Sequence, residues 1–478
     1  MKTKRIIALT LFLAALTSCG ESGVPETTTD GGGTTTVVET TSNELPARNF
    51  DGKELRVVTS PDYRYQIYAD EATGDVASDA VYDRNLRLEE KYGFKIVSLV
   101  EDSVNKYNFY QPIVKLVLAG DDVYDLVGHF AYSSNLAISN KIYLNWIDIP
   151  NLDLGGEWWN QTINDSLTIN NKLYTLTGAL SLSAMQSAYG MFWNVKLAAD
   201  YGLDSDSLYK TVKDGKWTID RFANLVKEMY VDLDSDGKQT IEDRYGLTCM
   251  TDSTPDFWIF ALDQKLSSRT KDGIKIEVNT EKTASILEKL LTLYYGNEGV
   301  KNFEKTNTTV SHYGDVIFSE GHSVFATSTL MSAFNLYRSM KDEYGILPMP
   351  KWDEKQEEYH TLIRDQYTVW GIPVTAKDDD FIGFVTEALC RETYEKVYPV
   401  YYDIALKQKY SADEKTAEMV DILVGGASFD ISFVFGDWCG SVNTLIRTHV
   451  NNNDPNLASD LASRVYRLDE LYALLKEN

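Results

Sequence analysis

Leu55-Arg56-Val57-Val58 opens the stretch that decides the fold, and Phe94-Lys95-Ile96-Val97 closes its first unit. Both are short apolar runs rich in β-branched residues, the composition of strands. Between them, residues 79–92 read as a helix ended by Gly93, which tolerates a left-handed cap. Pro112 suits the start of a second helix. Ile113, Leu116 and Val117 give that helix an apolar face, and Gly120 ends it. Val123-Tyr124-Asp125-Leu126-Val127 reads as a third strand. Strands alternating with helices predict βαβ units and a mainly parallel sheet. Such sheets bind ligands at the carboxyl ends of their strands, so residues just past each strand are the first site candidates.

The alternation resumes near Leu173. Thr218 caps a helix expected to run to Tyr230, with Phe222, Leu225, Val226 and Met229 at helical spacing. Tyr245-Gly246-Leu247-Thr248 reads as a strand, residues 281–295 as a helix, and the C-terminus as largely helical. About 430 residues follow the first 48, more than one core supports, so two lobes are expected. The formal net charge of −25 argues against nucleic acid, whose binding rests on Lys and Arg neutralising phosphates. It fits a soluble body with a neutral or cationic ligand. Cys249, Cys390 and Cys439 are too few and too scattered for a disulfide framework.

The N-terminus has its own logic. Lys2, Lys4 and Arg5 precede an apolar run over residues 6–16, too short to span a bilayer but typical of a secretory signal. Leu16-Thr17-Ser18-Cys19 resembles the lipobox of bacterial lipoproteins. That resemblance implies a signal peptide over residues 1–18, cleavage before Cys19 and lipidation of Cys19. The alternative is an ordinary secretory signal with an unrelated Cys. Residues 19–49 are Thr/Gly/Ser-rich and bury little, the composition of a disordered tether.

The most specific local motif is Asp232-Leu-Asp234-Ser-Asp236-Gly237-Lys238-Gln-Thr240-Ile-Glu-Asp243. Oxygen side chains at positions 1, 3, 5, 9 and 12 with Gly at 6 match a calcium loop. Asp232, Asp234, Asp236, Thr240 and Asp243 would supply side-chain oxygens, and Lys238 a backbone carbonyl. Position 12 is Asp rather than the bidentate Glu of EF-hands, and the pattern resembles the single calcium loops of dockerin modules. A solvated acidic turn is the plain alternative. As a lone loop, its calcium would be structural.

The chain also carries 9 Trp, 30 Tyr and 18 Phe. Flat rings with polar edges suit the C–H faces of sugars. Asp62 and Tyr63 follow the first strand, and His129 and Tyr132 the third. Asp256 and Trp258 follow the strand beginning at Tyr245, Ser328 follows the Val324 strand, and Trp438 sits in an expected loop, Phe-Gly-Asp-Trp-Cys-Gly-Ser. Any of these tryptophans could instead fill a core. No Walker, GxSxG or HExxH motif is present. A glycosidase, however, needs only two carboxylates, and a lipoprotein that merely adheres to glycans needs no motif.

Several stretches in this order resemble the extracellular solute-binding proteins of family 1, relatives of maltose-binding protein. They are GDDVYDLVG at 120–128, WWNQTI at 158–163, MFWNVKLAADYGL at 191–203, DGKWTIDRF at 214–222, EGHSVFATST at 320–329, YGILPMPKWD at 344–353 and WGIPVTAK at 370–377. The resemblance implies an α/β, two-lobed periplasmic-binding-protein-like fold, with mainly parallel sheets and hinge strands between lobes. Carried over, lobe one holds 50–165 and 322–352, and lobe two 170–320 and 365–478. It also implies that most of the loop residues named above contact ligand. The implied function is capture of a small solute, a carbohydrate foremost, for an ABC importer, without catalysis. The protein would be lipid-anchored to the cell membrane and face outside the cytoplasm. A surface glycoside hydrolase or lyase is the alternative.

Overall fold

In the computed structural model the described residues are 44–100, 110–250, 254–270, 273–278, 280–303, 313–407 and 414–476. The signal segment, Cys19 and nearly all of the tether lie outside them. The chain from Arg48 onward is one structural unit. Its strands are β1 (Lys53–Thr59), β2 (Phe94–Val100), β3 (Leu126–Phe130), β4 (Tyr189–Asn194), β5 (Tyr245–Met250), β6 (Ser267–Thr270) and β7 (Gly273–Ile276). They continue with β8 (Val300–Phe303), β9 (Ser323–Thr329), β10 (Tyr344–Leu347), β11 (Thr361–Leu362), β12 (Thr368–Gly371) and β13 (Ala427–Ser428).

The first sheet has the order β12-β3-β1-β2. The expected βαβ unit is there: helix Val76–Tyr92 connects β1 to β2, and the two strands run parallel. Asp75 caps the helix by accepting the Ser78 N–H, and Gly93 ends it at φ 62°, a conformation that disfavours a side chain. β3 begins later than expected, at Leu126, because Asp125 is taken by Arg56. Its carboxylate accepts both the Arg56 backbone N–H and the guanidinium, and Asp122 joins the same side chain.

The second sheet has the order β10-β4-β9-β5-β8. β5 runs parallel to β8 and β9, whereas β4 runs antiparallel to β9 and β10. β12 is likewise antiparallel to β3. The fold is therefore mixed α/β rather than mainly parallel. The segments also pair differently from the expectation. β9 and β10, assigned above with 50–165, complete the second sheet, and β12, assigned with the C-terminal part, joins the first. The reason lies in tertiary fit. β9 is buried nearly throughout and fills the slot between β4 and β5. Trp370 of β12 is wholly buried on the first-sheet side, where its carbonyl accepts the Trp146 indole N–H.

Consequently the chain passes between the sheets at 131–188 and again at 348–367, and the helices that follow β12 divide between the two. Helix Asp379–Glu392 packs on helix Val76–Tyr92, and helix Glu414–Gly425 packs on β10. Among the described residues, no helix is long and apolar enough to cross a membrane.

Candidate charged site at the strand ends

Two strands of the first sheet end on the same passing segment. After β1 the chain turns through a short 3-10 stretch, Pro61–Gln66. There the Tyr63 ring packs edge-on against Phe130 at 4.8 Å, and its hydroxyl donates to the Gln366 carbonyl at 3.1 Å. Immediately after β3, the Ala131 N–H donates to the Tyr367 carbonyl and the Tyr132 N–H to the Asp365 carbonyl. Residues 365–367 are thereby held against the carboxyl ends of β1 and β3.

The second sheet contributes from the other direction. Helix Pro255–Ala261 follows β5, with Pro255 in its first turn and Asp256 beside it. Asp256 is buried and accepts two bonds from Arg447: Nε to Oδ1 at 3.0 Å, and Nη2 to Oδ2. Arg364 Nε lies 3.2 Å from Asp365 Oδ1. Burial pushes Asp256 up to about 6 even though Arg447 and Arg364 pull it down. Burial likewise raises Asp365 against the same two arginines. Burial alone would lower Arg364, but Asp365, Tyr189 and Asp256 carry it above its ordinary value. Tyr189 stacks on Phe257 at 4.3 Å next to this group.

The four charges cancel, yet they are not sealed: Arg447 keeps 23% of its side-chain surface and Arg364 15%. Such a group presents fixed, charge-assisted donors and acceptors, suited to paired hydroxyls.

A second cluster lies in the 232–243 loop. Oxygens of Asp232, Asp234 and Asp236 lie within 4.8 Å of one another. Ser235 at φ 59° and Gly237 at φ 73° bend the chain around them. The Gly237 N–H donates to Asp232 at 2.9 Å, Asp236 N–H to Asp234 at 3.1 Å, and Lys238 N–H to Asp236 at 2.7 Å. Asp232 Oδ1 is buried without a hydrogen-bond partner among the described residues. The Asp236 N–H lowers Asp234, but desolvation and the carboxylates around it leave it above the usual range.

Asp243 behaves differently. It is buried, and its oxygens accept the N–H groups of Leu233 at 3.1 Å and Thr240 at 2.8 Å. Burial would raise its pKa, but these bonds hold it below the usual range. Thr240 Oγ1 accepts the Glu242 N–H, and the Lys238 carbonyl accepts the Tyr230 hydroxyl at 3.4 Å. Of the six expected ligands, three therefore converge, while Lys238, Thr240 and Asp243 fasten the loop.

No family model and no curated protein matches this chain in sequence. Its fold has a solved counterpart. The crystal structure of a cyclic α-maltosyl-1,6-maltose binding protein from Arthrobacter globiformis matches 89% of this chain and 100% of its own, with a TM-score of 0.57 at 14% identity. At that identity the likeness concerns the fold: mixed α/β, similar to that of a solute-binding protein.

Among the expected contacts, Tyr63, Tyr132 and Asp256 meet around 364–367, and Asp62 is exposed at the end of β1. Ser328 is buried in a separate network, donating to Asp315 at 2.9 Å beside Ser332 and Tyr337. His129 was expected past the strand. It instead pairs with Val369 inside the ladder, stacks on Tyr143 at 5.7 Å, and burial pulls its pKa down to about 4. Trp258 was expected in a loop, but it lies within helix Pro255–Ala261, fully buried beside Phe222 and Phe257. Residue 258 lies within a helix packed against helices Glu281–Tyr295 and Leu445–Asn451 and strand β11, and all seven of its residues are buried. Trp438 is half-buried against Phe435, and its carbonyl accepts the Arg467 N–H. Sequence reading missed Arg364, Asp365 and Arg447. Their only sequence signal is charge set inside apolar runs, Leu-Ile-Arg-Asp at 362–365 and Leu-Ile-Arg at 445–447.

Proposed function

We propose that this protein is an extracellular solute-binding protein that captures a carbohydrate for an ABC importer. The observation that carries the reading is the balanced group Asp256–Arg447–Arg364–Asp365 at the carboxyl ends of the strands, within a fold like that of a sugar-binding protein. In this reading the two sheets are the cores of two lobes, and the segments running between them are hinges that absorb the dihedral change on closure. The guanidinium and carboxylate edges bind sugar hydroxyls, and Tyr63, Tyr132 and Tyr189 supply ring surface. Cys19 carries the lipid that anchors the chain to the cell membrane, facing outward, where membrane subunits receive the solute. The Asp232, Asp234 and Asp236 carboxylates hold a structural calcium. None of the site residues performs chemistry.

Calorimetric titration of the exported chain with cyclic α-maltosyl-1,6-maltose, maltose and unrelated oligosaccharides tests the reading. At least one saccharide is expected to bind near micromolar Kd, about −8 kcal/mol, and Arg364→Ala to weaken it at least tenfold. Absence of saccharide binding, or affinity indifferent to Arg364→Ala, defeats the site. Release of shortened sugar during titration favours the hydrolase alternative. Cell fractionation of Cys19→Ala tests the anchor: the variant is expected to leave the membrane fraction.

A further inference from the structure

Away from the charged group, two side chains, Arg269 and Asn170, link the two halves of the fold from opposite directions. The hairpin β6–β7 belongs to the second-sheet side. Asp430 accepts the Leu266 and Ser267 N–H groups at its base, and Gln264 donates to the Glu277 carbonyl. From this hairpin Arg269 Nη1 donates to the carbonyls of Asp165 at 3.2 Å and Ser166 at 3.3 Å. Those carbonyls lie in the last turn of helix Gln161–Leu167, where unpaired carbonyls and the negative end of the helix dipole favour a cation.

That helix belongs to the first-sheet side. Asn164 exchanges two hydrogen bonds with Thr177, whose hydroxyl donates to the Thr368 carbonyl of β12. Just beyond, Ile169 and Lys172 pair across a turn in which Asn170 and Asn171 both have positive φ, making a stiff hook. Asn170 donates to the Tyr472 carbonyl at 3.5 Å, and the Tyr472 hydroxyl in turn accepts the Ile274 N–H of the hairpin. Beside this contact lies an open surface depression of about 370 Å³ lined by Asp165, Ser166, Thr168 and Arg269.

We infer that Arg269 is a latch, holding the hairpin of one half to the helix end of the other and setting how readily the two halves part. The inference rests on the two-lobe reading above. The contact has the properties such a device needs. It joins two rigid anchors, it uses one exposed side chain rather than a packed core, and its acceptors are backbone carbonyls that stay in place when it lets go. The adjoining depression is open to solvent, so the contact is not sealed inside packed surface. Losing both bonds shifts the open-to-closed ratio about tenfold, equivalent to about 1.4 kcal/mol.

Small-angle scattering and thermal melting of the full chain test this, comparing wild type with Arg269→Ala and Arg269→Lys. A compact unit of this length has a radius of gyration of about 22 Å, and Arg269→Ala is expected to raise the measured value by about 1 Å. Its melting temperature should be nearly unchanged, and Arg269→Lys, which keeps a donor, should fall between. An unchanged radius in Arg269→Ala overturns the latch. A parallel series of wild type with maltotetraose separates the two ways of failing. Contraction by that sugar together with an unresponsive Arg269→Ala leaves the hinged reading standing and removes only the latch. If neither perturbation changes the shape, both fall.

Discussion

The molecule holds two concentrations of carboxylate that obey opposite rules. In the 232–243 loop, Asp232, Asp234 and Asp236 lie within five consecutive residues and crowd together largely in solvent, with the Lys238 ammonium 3.3 Å from Asp236. At the strand ends, Asp256 and Asp365 come from distant parts of the chain, are buried, and each faces a guanidinium. The difference teaches where charge is tolerated. Exposed carboxylates need only water and a screened neighbour, whereas a buried one demands a partner in place, because desolvation costs several kcal/mol per ion. The loop is thus able to wait for a cation, while the strand-end group must arrive complete.

The largest expected effect breaks the strand-end group. Arg447→Ala leaves Asp256 buried without its bidentate partner, and urea denaturation near pH 7.5 should show a loss of about 3–5 kcal/mol. A loss below about 1 kcal/mol would mean that the pair is solvated and the contrast with the loop false.

Proton linkage gives the next effect. The folded-state pKa of Asp256 lies above its ordinary value, at about 6. Its protonation therefore contributes stability that is fully present below about pH 4 and is lost as pH rises through about 6. The amplitude is about 3 kcal/mol for a shift of roughly two units. Carboxylates held low by partners, such as Asp122 and Asp378, run the other way. The test is therefore the difference between wild type and Asp256→Asn across pH 4–8. That difference should change by this amount, and a flat difference refutes the buried titration.

The loop is expected to respond to calcium and not to removal of one charge pair. At one hundred times Kd, calcium should stabilise the wild type by about 2.7 kcal/mol, a response that chelator removes and Asp234→Ala abolishes. Equal melting in all conditions would make the loop a plain acidic turn. The smallest effect belongs to Lys238→Ala in the absence of calcium. Its exposed pairing with Asp236 should be worth less than about 1 kcal/mol. A larger loss would mean that the ammonium is the loop's own counter-ion.

The same contrast explains what could be read without coordinates. Asp232, Asp234 and Asp236 come together through bonds that span five residues or fewer, whereas Asp243 is also bonded by Tyr230, 13 residues away, and its carbonyl lies against the His322 ring, 79 residues away. Helix caps were legible because they too are local: Thr218 accepts the Arg221 N–H, and Gly93 ends its helix at φ 62°. The helix after Thr218 nevertheless stops at Val226, short of Tyr230, although Met229 is still buried. The strand-end group was half visible. Asp256, Tyr63 and Tyr132 follow strands, which sequence can locate. Arg364, Asp365 and Arg447 matter because of what they face, 191 residues away in the case of Arg447 and Asp256.

The alternation of strands and helices, the bends of the acidic loop and the apolar runs of the core are all legible in the local pattern of residues. Each is set by periodicity, turn residues or contacts a few positions apart. Long-range packing, by contrast, sets β9 and β10 in the second sheet and β12 in the first. It alone placed Trp258 inside, put His129 within the ladder and gave Asp256 to Arg447. A buried apolar strand carries no mark of which neighbour it will pair with, and a charged side chain none of which partner will meet it. Both are settled by how the whole core fills space and by the cost of leaving a buried polar group unmatched.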